Sequence, residues 1–205
     1  MLAELLSATS VEILAYLCSR LREKLTVRQI ANGIERDYKI TYVMTMRLAR
    51  QNYIITEKRR PITLCRLNLK NNATLLAYIE GFRASRFLAK HRDIEVIVNV
   101  LTEKINSPFF TMILFGSHVK GTASKRSDLD VLFVIPDRTH EGMIASGVGS
   151  VERMSPIGLH HAILTSDEFI GLLKEGRPNV AFEALDNRIV PYGAEALFRM
   201  MEAVM

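Results

Sequence analysis

Ile113-Leu114-Phe115-Gly116-Ser117-His118-Val119-Lys120-Gly121-Thr122-Ala123-Ser124-Lys125-Arg126-Ser127-Asp128-Leu129-Asp130-Val131-Leu132-Phe133-Val134-Ile135 is the stretch on which the fold of this chain turns. Residues Phe110 to Phe115 are short, apolar and closed by Gly116, which reads as a buried strand. Gly116 permits a tight turn and the close approach of a ligand to the backbone. Ser117 then stands where a helix can start, with free N–H groups and the positive dipole end turned toward phosphate. Asp128 and Asp130 fall at i and i+2 of the next strand, so both carboxylates point to one face while Leu129 and Val131 point to the other. Neighbouring carboxylates repel, and a shared cation is the usual reason to tolerate that. A phosphate cradle beside paired aspartates points to a Mg²⁺–nucleotide site.

Gly116-Ser117, ten residues, then Asp128-Leu129-Asp130 resembles the signature of the DNA polymerase β-like nucleotidyltransferase superfamily. The nearest branch is the minimal nucleotidyltransferases. Lys120-Gly121 and Ser127 also fit the motif, and the resemblance covers residues 92–175. It implies a small mixed sheet flanked by helices. It further implies transfer of a nucleoside monophosphate from an NTP, ATP first among them, to a hydroxyl. Asp128 and Asp130 would be the catalytic carboxylates and would hold Mg²⁺ or Mn²⁺. Gly116, Ser117, Lys120 and Ser127 would bind the nucleotide. The acceptor would be a protein side chain, as the antitoxin-type members of that branch suggest, or a small molecule or an RNA end.

The strand expected over 157–165 departs from the family pattern. There the family places a third acidic residue, which joins the metal site and serves as general base. Here His160 and His161 occupy the middle of the strand and no carboxylate lies on it. Adjacent strand residues face opposite ways, so only one of the two histidines can reach the site. A neutral imidazole accepts a proton or ligates a metal, but Mg²⁺ prefers oxygen ligands.

The 205 residues suit one medium domain or two small ones. No apolar run approaches the ~20 residues of a membrane span. The start of the chain lacks the basic flank of a secretory leader, and Cys18 and Cys65 stand among apolar neighbours as buried thiols. A cytoplasmic protein without a membrane partner is expected. The net charge of +5 is unevenly spread. Residues 1–70 hold thirteen Lys and Arg against six Asp and Glu, whereas residues 71–205 hold fourteen against sixteen. The basic excess is N-terminal and suggests a polyanionic partner for that part.

Within 1–70, Ser10 and Thr26 read as caps of two short helices. A third helix starts near Ile40, with Ile40, Met44 and Leu48 on one face and Tyr42, Thr45 and Arg50 opposite. Residues 53–56 and 62–67 then form a hairpin around a basic turn, Glu57-Lys58-Arg59-Arg60-Pro61. Three helices and a hairpin with a basic tip resemble a winged helix-turn-helix. The third helix would then enter the major groove of DNA, with Tyr42, Thr45 and Arg50 on bases or phosphates and Lys58, Arg59 and Arg60 on the backbone or minor groove. The same module could instead pack against a protein or dimerise.

Residues 71–91 read as a linking helix and 92–205 as the nucleotidyltransferase-like domain, giving an α+β chain in three parts. Ile94, Ile97, Val98, Leu101 and Ile105 set a clean helical stripe over 93–106. Thr165 and Glu168 have capping-box spacing. Two functions remain open at this point. One is a transferase. The other is a DNA-binding regulator, or an antitoxin-like protein with a toxin partner, whose degenerate C-terminal domain binds nucleotide without turnover.

Overall fold

The computed structural model describes residues 6–204. The chain divides into two compact units, one ending at Ile79 and one beginning at Glu80. The division between the units falls within the segment 71–91 expected as a linking helix.

The first unit runs α1 (Ala8–Cys18), β1 (Leu25–Thr26), α2 (Val27–Gly33), α3 (Tyr38–Arg50), β2 (Ile54–Arg59) and β3 (Ile62–Leu67). Its antiparallel sheet has the order β1-β3-β2. Helix α1 is capped by Ser7, whose hydroxyl accepts the Ser10 N–H at 3.2 Å, so Ser10 lies inside the helix. Thr26 and Gln29 close a reciprocal capping box on α2. Helix α3 begins before Ile40 because the Asp37 carboxylate accepts the N–H groups of Lys39 and Ile40, at 2.8 and 3.1 Å.

The inward face of α3 differs from the expected stripe. Thr41, Thr45 and Leu48 are buried, while Ile40 is 52% exposed. Thr41 returns its hydroxyl to the Asp37 carbonyl at 2.8 Å, which satisfies it on the inward face. The hairpin turn is also tighter than expected. Strand pairing continues to Arg59↔Ile62, leaving Arg60-Pro61 as the tip.

Helix α4 (Ala73–Leu88) carries the chain into the second unit. There follow α5 (Arg92–Ile105), β4 (Thr111–Phe115), α6 (Gly116–Lys120) and β5 (Leu129–Ile135). After a single 3-10 turn at Arg138–His140 come α7 (Glu141–Glu152), β6 (Leu159–Thr165), α8 (Ser166–Lys174), α9 (Val180–Leu185), β7 (Ile189–Tyr192) and α10 (Ala194–Glu202). The mixed sheet has the order β6-β5-β4-β7, with β5 and β6 parallel and the other pairs antiparallel. All five apolar positions of the α5 stripe are buried. They cluster with Met112, Leu114, Leu129, Val131 and Phe133 of the sheet and with Ile144, Val148 and Val151 of α7. Gly147 lets α7 sit this close, since a β-carbon there would crowd Ile105. Helices α8, α9 and α10 pack on the other face, with Phe169 and Phe198 buried.

The edge strand β7 is joined to α4 by buried charge. Glu80 and Arg188 are both 0% exposed and lie 3.8 Å apart. Arg83 reaches Glu80 at 2.5 Å and donates to the Arg188 carbonyl at 2.9 Å. The Val190 N–H donates to Glu80 at 3.2 Å. Gly81 of α4 faces open space.

Candidate active site

The site forms where β4 ends and β5 begins. The two strands are antiparallel, and Phe115, the last residue of β4, lies opposite Asp130. Gly116 follows at φ +74, a left-handed conformation that glycine adopts without penalty. A β-carbon on Gly116 would overlap the Asp130 carboxylate. The glycine thus admits a close approach by a side chain of the protein's own second strand, where the sequence suggested a ligand. Helix α6 then runs for five residues and stops at Gly121, φ +72.

Asp128 stands one residue before β5 and is exposed. Its carboxylate abuts Gly158, where a β-carbon would overlap it, and the Leu129 N–H donates to the Gly158 carbonyl at 2.8 Å. Two residues along, His160 lies beside Asp130 in the parallel register, with Nδ1 and Oδ1 3.0 Å apart. Asp128 and Asp130 therefore meet the same side of the β6 segment, at Gly158 and His160. His160 is the histidine that reaches the aspartates. His161 pairs with Val131 and takes the opposite face, the face on which Leu159 and Ile163 pack against the core. His161 is thereby removed from the site.

The loop between α6 and β5 is tied down. The His118 ring donates from Nε2 to the Ser127 carbonyl at 2.9 Å. The Ser127 hydroxyl accepts the Ser124 N–H at 2.9 Å, so it is held within the turn. Lys120, Lys125 and Arg126 are exposed on the same segment. Gly158 and His118 are the site residues that motif reading missed. Gly158 falls inside the strand expected over 157–165, where a glycine carries no chemical signal, and a histidine after Gly-Ser reads as a variable helix position.

Among the described residues no group of three or more His, Cys, Asp and Glu is arranged to hold a metal. Two carboxylates and one imidazole face the site instead. This donor set suits a cation that brings further oxygen ligands with it, as Mg²⁺ does on phosphates. Past the far end of β5, hydrogen bonding from Arg138 holds the Glu168 carboxyl below its usual range.

In the first unit, Tyr42, Arg47, Arg50 and Lys58 line one groove of about 800 Å³ between α3 and β2. Arg47 was not foreseen there. Thr45 is fully buried and cannot contact DNA, which corrects its assignment to the recognition face. Arg59 pairs with Glu57 at 2.6 Å, and Glu57 also receives Lys24 at 2.8 Å. Arg60 stands exposed at the tip.

Residues 94–190 match the family model of the nucleotidyltransferase domain. The mixed sheet with flanking helices fits a fold of that type, and the match supports nucleotidyl transfer as the general activity of the second unit. No curated protein and no solved structure matches the chain. No helix among the described residues is long and apolar enough to cross a membrane.

Proposed function

We propose that the chain transfers a nucleoside monophosphate from an NTP, with ATP the first candidate, to a hydroxyl acceptor. The observation that carries this reading is the Asp130 carboxylate set against Gly116 at the start of α6, inside the matched domain. The acceptor oxygen attacks the α-phosphorus, the bond to the bridging oxygen breaks, pyrophosphate leaves, and the hydroxyl proton passes to solvent or a base. Gly116 and Ser117 bind the triphosphate, with Lys120 beside it. Asp128 and Asp130 would hold Mg²⁺ or Mn²⁺, whose chemistry when bound would be to offset charge on the phosphates. His118 and Ser127 keep the loop before Asp128 in place. The test is incubation with labelled ATP, GTP, CTP and UTP, Mg²⁺ and cell lysate. Transfer of label that is lost in Asp128→Asn and Asp130→Asn supports the enzyme. Nucleotide binding without transfer by the wild type would overturn it.

A second reading is favoured by the groove of the first unit. Order α1-β1-α2-α3-β2-β3 agrees with a winged helix, and Tyr42, Arg47, Arg50 and Lys58 line one surface. On this reading the first unit binds DNA and the second is a nucleotide sensor or antitoxin-like partner of a toxin. A gel shift of the neighbouring promoter with Arg47, Arg50 and Lys58 replaced by Ala tests it. Equal weakening on all sequences marks phosphate contacts, and selective weakening marks base contacts.

A further inference from the structure

We propose that His160 makes the candidate active site a single-cation site, filled only from a cation–nucleotide complex. This rests on the nucleotidyl-transfer reading above and names how its cation arrives. His160 lies beside Asp130 with Nδ1 3.0 Å from Oδ1. The other Asp130 oxygen, Oδ2, lies against Gly116. Asp128 is the exposed carboxylate of the pair. The His160 side chain is 77% exposed, so it reaches the solvent-filled face where a third ligand would stand. It offers a nitrogen there, without a negative charge when neutral.

A hard divalent cation asks for about six oxygen ligands and is held by one or two carboxylates when phosphates complete its shell. Two aspartates supply too few alone, and among the described residues no third carboxylate joins them. The phosphate oxygens of the nucleotide must supply the rest. A second cation, held by protein carboxylates before nucleotide arrives, would need an acidic residue where His160 stands.

The test uses full-length protein and MnCl₂, with free Mn²⁺ read from its six-line paramagnetic resonance signal. Wild type should leave the signal of MnCl₂ alone unchanged. It should withdraw one Mn²⁺ per chain when a non-hydrolysable ATP analogue is added. His160→Asp should bind Mn²⁺ without nucleotide at least about tenfold more tightly than wild type, because added ligand charge raises affinity. His161→Asp adds the same charge on the opposite face and should leave binding as in wild type. Far-UV circular dichroism confirms that each variant is folded, and the wild-type stoichiometry stands without any variant. Tight binding of MnCl₂ alone by wild type, two ions per chain, or no gain in folded His160→Asp would overturn the single-cation assignment while leaving nucleotidyl transfer standing. Failure of wild type to bind the Mn²⁺–analogue complex would overturn nucleotidyl transfer itself and this inference with it.

Discussion

The carboxylate of Asp130 fills the space that a β-carbon on Gly116 would need. Gly116 is also held at φ +74. Gly116→Ala therefore meets two penalties, a left-handed backbone costing ~1–2 kcal/mol and a displaced aspartate. Nucleotide affinity should fall by more than about tenfold, equivalent to ~1.4 kcal/mol. Calorimetric titration with a non-hydrolysable ATP analogue measures it. Wild-type affinity in the variant would separate this contact from the site.

Gly158 offers the same test without backbone strain, because its φ lies outside the left-handed range. A β-carbon there meets the Asp128 carboxylate. Elsewhere a Gly→Ala change of this kind raises stability by ~0.4–1 kcal/mol by restricting the unfolded chain. Gly158→Ala should accordingly keep or raise the melting temperature while lowering nucleotide binding. A fall in both would mean that the glycine serves the fold.

How much of this was legible before the fold was known depends on the range over which each cause acts. The α5 stripe and the capping residues Thr26 and Thr165 were readable because period and capping are local. Asp130 was readable because its neighbours form one buried strand. The face of α3 was misread because Thr45 was placed on the outward side, yet Thr41 and Thr45 are both fully buried. The choice between His160 and His161 waited on the β5–β6 register, which no local pattern specifies. The Glu80–Arg188 pair joins residues more than a hundred positions apart, and charge type alone names no partner at that distance.

Thr45 has a consequence for stability. Its side chain is 0% exposed, and its hydroxyl has no hydrogen-bond partner among the described residues. A buried polar group in that state costs ~1–3 kcal/mol. Thr45→Val keeps the shape and removes the hydroxyl, so it should stabilise the first unit by ~1 kcal/mol or more. Thermal melting of residues 1–205 reads the shift. A lower melting temperature would show that the hydroxyl is satisfied in solution.

Burial pushes the Cys65 thiol up to about 11 from an ordinary 9.0. The folded value lies above the unfolded one, so folding favours the protonated thiol. Its contribution is present in full below about pH 9 and is lost as pH rises through about 11. At pH 8 the folded protein should carry about a hundredfold less thiolate at Cys65 than the unfolded chain. Iodoacetamide labelling followed by peptide mass spectrometry should show slow modification of Cys65 at pH 8 and faster modification in urea. Equal rates in the two states would mean that the thiol is open to solvent.

Glu80 presents the largest expected loss. Its carboxylate is 0% exposed and meets Arg83 at 2.5 Å, Arg188 at 3.8 Å and the Val190 N–H at 3.2 Å. Arg188 also donates to the Leu185 carbonyl at 3.1 Å and stands 5.8 Å from the centre of the Phe198 ring. Glu80→Gln keeps the volume but removes the buried charge that faces both Arg83 and Arg188, and breaking a buried pair from one side typically costs ~3–5 kcal/mol. Glu80→Met with Arg188→Met removes both charges from the same space and should recover much of that loss, because a buried pair must first repay its own desolvation. Urea unfolding of both variants and of each single change separates the two effects. If Glu80→Gln costs less than ~1 kcal/mol, water reaches the pair in solution, and β7 is held to α4 by apolar packing instead.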